Sequence, residues 1–341
     1  MQAIPSLSQL EELLSEPTPG VVETMRKLAG DVIVLGVGGK MGPTLARMVR
    51  RASDAAGGKR RVIAVSRFSS AHLPEQLKAH GIEPIAADLL DRLQLAALPD
   101  APNVIYMAGM KFGGTGNESL TWAMNCWLPG LVCERYRNSR IVAFSTGNVY
   151  GLVPTGGTGS READALNPLG DYAMSCVGRE RMFEHFSRSL KIPTAIIRLN
   201  YATELRYGVL VDVAKRIWTG QAIDLAMGHV NVIWQGDASA MTLQALEHVA
   251  SPPFILNVAG PEVLRIRDVA VQLGRIMDRD PRFTGQESPD ALLNDGRLGH
   301  RLYGKPRVIS ETMIRWIADW VMRGGEDLGK PTHFQTRDGK F

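Results

Sequence analysis

Short apolar runs alternate with amphipathic stretches along most of the chain. Leu7, Leu10, Leu13 and Leu14 have helical spacing, and Pro17 to Gly20 ends that helix. A second short helix is expected over 21–28, and the pair reads as a packing extension. Val32 to Leu35 then form a short, wholly apolar run, the mark of a buried strand. Met41, Leu45, Met48 and Val49 follow at helical spacing. The same alternation repeats with strands expected at 62–66, 82–87, 104–107 and 141–144. Helices are expected over 73–80, from Asp91 as an N-cap, and over 118–137, where Pro129 should kink or break the helix.

Four successive βα pairs imply a parallel sheet with helices on both faces. The predicted class is therefore α/β, a Rossmann-type doubly wound parallel sheet with a smaller C-terminal α/β lobe that takes the substrate. The expected organisation is a helical extension over 1–28, a dinucleotide-binding domain over 29–205, and a lobe from 206–229 and 261–330. A tail covers 331–341. Further strands are expected at 196–199, 230–234 and 254–258, with 230–236 and 254–258 returning to the dinucleotide-binding domain. Further helices are expected over 209–219, 264–277 and 311–321. Trp316 and Trp320, one helical turn apart, read as core.

Composition narrows the function. In 341 residues, 45% hydrophobic and 22% charged, the net charge is only +4, ordinary for a globular protein. Lys59-Arg60-Arg61 is the one dense basic run, too short for a nucleic-acid footprint. No apolar run would span a bilayer, and no basic-then-apolar leader opens the chain, so neither membrane nor secretory signal is expected. Cys126, Cys133 and Cys176 form no CxxC pair, which argues for a reduced, cytoplasmic setting. Seven scattered histidines show no metal-ligand spacing, so no metal is expected.

The turn after the first strand carries Gly36, Gly38, Gly39 and Gly42. Its spacing is GxxGxxG; the GxGxxG form would need glycine where Met41 stands. One glycine permits the tight turn, one lets backbone approach a pyrophosphate, and one lets helix pack against strand. Pro43 suits the first turn of that helix. In open α/β sheets cofactors sit at the carboxyl ends of strands, which selects Gly36, Ser66, Asp88, Gly109 and Ser145-Thr146. At the end of the second strand an acidic residue would bind the ribose 2′-hydroxyl of NAD. Here Ser66 and Arg67 stand instead, and arginine pairs bidentately with a phosphate. NADP is the expected cofactor, NAD the less favoured one.

Together, five segments make the chain resemble an extended short-chain dehydrogenase/reductase of the NAD(P)-dependent epimerase/dehydratase family. They are the glycine turn at 36–42, Asp88-Leu-Leu-Asp91, and Val104 to Lys111. The others are Phe144-Ser-Thr-Gly-Asn-Val-Tyr-Gly151 and Pro168 to Glu180 with Tyr172. The resemblance covers most of residues 30–320. It implies that Thr146 and Tyr172 are catalytic: tyrosine exchanges a proton with the substrate oxygen, and the threonine hydroxyl hydrogen-bonds that oxygen. It further implies cofactor contacts at Gly36, Gly39, Lys40, Met41, Gly42, Asp88, Leu89, Ala108, Gly109, Asn125, Tyr172 and Asn200. In such proteins the helix after the fourth strand and the helix carrying the tyrosine form a four-helix bundle, which implies a homodimer.

Two departures matter. The family's YxxxK lysine would fall at 176, where this chain has Cys176. Tyrosine titrates near pH 10, and bringing it to neutrality takes roughly 4 kcal/mol of preferential stabilisation, which a neutral thiol does not supply. Either another cation substitutes or Tyr172 works as a protonated acid, or not at all. Lys111 is the favoured substitute. Arg179, seven residues on, is set aside here as turned to another helix face. The second departure is Val230, where nucleotide-sugar members carry an arginine for the diphosphate. Net redox on a sugar or sugar-derived hydroxyl or ketone is the leading reading. Epimerase or dehydratase chemistry is the alternative, and cofactor binding without turnover is the reading that Cys176 keeps open.

Overall fold

The computed structural model describes residues 3–111 and 116–339; the glycine-rich stretch 112–115 expected after the fourth strand lies outside the described residues. Seven strands form the central sheet: β1 (Val32–Leu35), β2 (Val62–Ser66), β3 (Glu83–Ala86), β4 (Asn103–Tyr106), β5 (Arg140–Thr146), β6 (Thr194–Leu199) and β7 (Phe254–Val258). Their order is β7-β6-β5-β4-β1-β2-β3, and every pairing is parallel. The order reverses between β1 and β4, so a crevice opens at the carboxyl ends of those two strands. β1 and β4 are buried along their whole length, which explains the apolar run of β1 and of β4 after Asn103, whose amide donates to Ala29 O and Asp31 O.

Helices α1 (Leu7–Leu14), α2 (Pro19–Lys27), α3 (Gly42–Ala55), α4 (His72–Ala79) and α5 (Arg92–Ala97) follow chain order. Asp91 caps α5, accepting from the N–H groups of Leu93 and Gln94. The next helix, α6, has three parts: Glu118–Trp122, a π-turn at Ala123–Trp127, and Leu128–Arg135. Pro129 falls at the start of the last part. The Leu128 N–H reaches Ala123 O, and this wider turn accommodates a residue with no N–H of its own. α7 (Gly170–Leu190) carries the YxxxC segment. The smaller lobe contains α8 (Val209–Trp218), α10 (Ile266–Met277) and α12 (Ser310–Met322), whereas α9 (Gln235–Gln244) and α11 (Arg297–Tyr303) pack against the sheet.

Of the two later segments expected to return to the dinucleotide-binding domain, β7 lies beside β6 in the main sheet, whereas 230–236 adds no strand to that sheet. His229–Val230 pairs antiparallel with Leu264–Arg265, and Ile233–Trp234 pairs parallel with Ala202–Thr203. Asn231 interrupts the run: its amide donates to the carbonyls of Gly260 and Asn294, and immediately past the second ladder the chain is already helical.

Three large apolar clusters build the molecule. Two cover opposite faces of the sheet, one of them taking Val21 and Met25 of α2; the third fills the lobe and takes Leu10 and Leu14 of α1. The N-terminal helices thus join lobe to sheet. Trp316 and Trp320 are in the lobe core, with Trp316 edge-on to Trp234 at 5.6 Å. The tail packs rather than trails. Thr332 donates through backbone and side chain to Asp212, Arg337 donates to Ala226 O and Asp290 O, and Gly339 lies against Leu169 and Gly170 at the start of α7.

Candidate active site

The glycine turn shows which glycine serves which purpose. A Cβ on Gly36, where φ is +89°, would lie 2.6 Å from Ala108 N, and one on Gly42 would lie 2.1 Å from Val37 O. Those two are demanded by packing. A Cβ on Gly39 would meet only Gly36 O at 3.8 Å, so the protein does not require a glycine there. What it would fill is the open space above the turn, at the N-terminus of a 14-residue helix with no side-chain cap. That is the arrangement a dinucleotide pyrophosphate needs. The residues fit such a cofactor.

Ser66 abuts the turn, since a Cβ on Gly38 would come within 2.5 Å of its Oγ. Arg67 is exposed at the end of β2. Asp88 closes its own turn by accepting from Leu90 N–H, and Leu89 is buried behind it. These four occupy the β2–β3 side, away from the residues that line the main cavity.

That cavity, about 740 Å³, lies over the carboxyl ends of β1, β4, β5 and β6. It gathers Gly36, Gly39, Lys40, Met41, Gly109, Lys111, Thr146, Tyr172 and Asn200 from the sheet domain. Gly42, Ala108 and Asn125 are behind its wall. Residues that the sequence did not single out also line it: Asn148, Tyr207 and Gln235, with Lys330 and Thr332 from the tail. Nothing local in the sequence marks the last two; only the fold brings them here.

At the base, Tyr172 and Thr146 are joined by a side-chain hydrogen bond. Burial holds the Tyr172 phenol well above its ordinary range, with Cys176 adding to the rise and Arg179 opposing it. The Cys176 thiol is fully buried among Val149 and Tyr150, contacts the tyrosine hydroxyl, and is itself pushed up by burial. It supplies no charge.

Arg179 is the correction here. Seven residues are almost two complete helical turns, so Arg179 returns to the face of Tyr172 instead of turning away. Its buried guanidinium donates to Phe144 O at 2.9 Å and to Asn125 Oδ1. Lys111, the substitute favoured from sequence, has its Nζ 5.5 Å from the centre of the Tyr172 ring. Burial brings Lys111 down to about 8.

Asn125 sits within the π-turn and is buried; it clasps the Met110 peptide, accepting from its N–H at 2.9 Å and donating to its carbonyl at 2.8 Å. It thereby fixes the residue before Lys111. On the other side, Ser145 Oγ donates to Glu180 Oε1 at 2.6 Å, and Glu180 takes a bidentate contact from Arg198 on β6. Arg198 also donates to Tyr150, which donates to Asn257 on β7. This buried network ties the end of β5, and with it Thr146, to the helix that carries Tyr172. Asn200 donates to Asn231 at 2.7 Å and so meets the lobe.

Among the described residues, no group of three His, Cys, Asp or Glu is arranged to hold a metal, and no helix is long and apolar enough to cross a membrane.

Fold and cleft together define an α/β protein built around a nicotinamide-dinucleotide site. The chain belongs to the NAD dependent epimerase/dehydratase family, a family of enzymes, whose model it matches over residues 32–252. No curated protein sequence matches it significantly. Solved structures share the fold at low identity. UDP-glucuronic acid 4-epimerase from Bacillus cereus in complex with NAD is 18% identical, with a TM-score of 0.72 over 86% of this chain and 99% of that one. The dTDP-glucose 4,6-dehydratase of Streptomyces venezuelae with NAD and TYD bound is 16% identical, with a TM-score of 0.72 over 86% and 97%. UDP-glucose 4-epimerase from Thermotoga maritima is 15% identical, with a TM-score of 0.69 over 86% and 99%.

Proposed function

We propose that the protein is an NADP-dependent oxidoreductase that interconverts a hydroxyl and a ketone on a small, sugar-derived molecule. The observation that carries this is the Thr146–Tyr172 hydrogen-bonded pair in one cavity with a glycine turn whose Gly39 leaves room for a pyrophosphate. A bound nicotinamide would supply the hydride donor or acceptor. In the reducing direction, Tyr172 gives its phenolic proton to the carbonyl oxygen while the Thr146 hydroxyl hydrogen-bonds that oxygen. The product hydroxyl keeps the proton, and solvent returns one to the phenolate. A phenol held above its usual range is protonated at neutral pH, as this direction requires.

Ser66 and the exposed Arg67, with no carboxylate at the end of β2, support NADP over NAD. A titration by protein-to-nicotinamide energy transfer tests it. NADPH should bind tighter than NADH, and Arg67→Ala should weaken NADPH at least tenfold while leaving NADH nearly unchanged. Equal affinities, or tighter NADH, would favour a retained-cofactor epimerase or dehydratase, the chemistry of the NAD-bound enzymes of similar fold above. The free cysteines support a reducing, cytoplasmic setting. Leu120 and Trp127 on α6 and Met174 on α7 are exposed apolar side chains, and they support a homodimer formed through these two helices.

A further inference from the structure

We propose that the protein has a second ligand site, outside the catalytic cleft, which receives a small organic oxyanion: a carboxylate or phosphate monoester on a short apolar body. The site is a cavity of about 400 Å³, within the roughly 300–1,000 Å³ typical of small-molecule sites. It lies between the loop after β7, the turn at 157–158 and α11, and it shares no lining residue with the cleft that holds Thr146 and Tyr172. Pro261 and the exposed Val263 give it an apolar side. Arg297, His300 and Arg301 face it from α11, at three- and four-residue spacing, with Lys305 just beyond the helix.

The fold uses part of this charge and leaves part over. Asp295 is the one acid among the described lining residues. Arg297 Nε donates to both of its oxygens, at 3.0 and 2.8 Å, and Thr158 Oγ1 donates to it at 3.2 Å. Glu262 does not line the cavity and accepts from Ser310. Arg301 and Lys305 have no acidic partner among the described residues, so two positive charges remain for an anion. Burial holds the His300 imidazole below its ordinary range, and the nearby Lys305 ammonium adds to the fall. Its Nε2 donates to Ala259 O at 3.0 Å, so the ring is a neutral part of the wall.

Two further features point to an occupant. A Cβ on Gly157 would meet only Pro154 O at 3.7 Å, so packing does not demand a glycine there, and the missing side chain keeps the cavity open. Asn294 lines the cavity and is 1% exposed, yet neither atom of its side-chain amide has a hydrogen-bond partner among the described residues. Buried amides are satisfied as a rule, and a group brought by a ligand makes up such a deficit. The same wall backs onto the catalytic cleft. Asn231 accepts from Asn200 at 2.7 Å, and Asn294 packs on Gly147, next to Thr146. An occupant therefore sits behind the catalytic floor without entering it.

The test is calorimetric titration of the full-length protein at pH 7 and low salt, with and without excess NADPH. The probes are phenyl phosphate, phenylacetate, inorganic phosphate and the neutral benzyl alcohol. At least one aromatic anion should bind tenfold or more tighter than both inorganic phosphate and benzyl alcohol, the two arms telling phosphate from carboxylate. Excess NADPH should leave that affinity within twofold. The double change Arg301→Ala with Lys305→Ala, at exposed positions, should weaken it at least fivefold. Gly157→Phe, which fills the cavity without altering a charge, should weaken it as much, with circular dichroism and the thermal midpoint confirming that both variants fold. No binding of either aromatic anion would overturn the assignment, as would equal binding of benzyl alcohol or inorganic phosphate. So would displacement of the probe by NADPH, or an affinity left unchanged by the Arg301 and Lys305 substitutions.

Discussion

Tyr172 shows how one substitution in a motif changes what its neighbours must do. With Cys176 in place of lysine, the cation near the phenol is Arg179, one turn further along the same face. Lys111 is a poor source of charge in the alkaline range, because an ammonium brought down to about 8 is neutral above it. A guanidinium keeps its charge throughout. Alcohol oxidation needs a proton acceptor, so its rate should keep rising well above neutral pH, while ketone reduction should stay flat through neutrality. Cys176→Lys should move the alkaline limb toward neutrality, and Arg179→Met should move it away. A profile for the unmodified enzyme already flat from pH 7 upward, with hydride transfer shown to limit the rate, would refute this. Tyr172→Phe should lower kcat by about 10²–10⁴-fold and leave NADPH binding intact. Thr146 and Tyr172 were legible because they lie inside local motifs. Arg179 was legible too, from its seven-residue spacing, had the helix period been applied to it. Tyr207 and Lys330 were not, because no local pattern records which segments meet across a cleft.

Strands β1, β2 and β4–β7 were readable as elements because each carries a short buried run of mostly apolar residues. The opposite holds for α9. All of its residues are buried, polar ones included, so it has no solvent face and no helical period to detect. The π-turn of α6 was foreseen only as a disturbance at Pro129, yet it is what places Asn125 on the Met110 peptide. Between elements, the Glu180–Arg198 pair joins α7 to β6 at the level of Thr146. Removing one member of such a buried pair leaves the other charge uncompensated. Arg198→Met should therefore lower stability by about 3–5 kcal/mol, measured by urea unfolding, and should also lower kcat by loosening Ser145. The pair Glu180→Leu with Arg198→Met should cost less than Arg198→Met alone.

At the scale of the molecule, the α/β class, the parallel sheet and the glycine turn at its switch point followed from the alternation of strands and helices. The pairing of segment 229–234 did not, because it spends its residues on two short ladders outside the central sheet. If the exposed apolar side chains of α6 and α7 meet their counterparts, sedimentation should show a dimer at micromolar concentration. Trp127→Glu should shift it to monomer without unfolding, and a purely monomeric unmodified protein would count against the interface. The tail has a mechanical consequence. It is anchored to α8 of the lobe through Asp212 and reaches the first turn of α7 at Gly170, two residues from Tyr172, while α1 and α2 bridge the same two halves from the opposite end of the sequence. A clamshell strapped in this way does not swing open on a hinge. Ligands must thread through the mouth of the cleft, and small-angle scattering should record the same radius of gyration with and without cofactor.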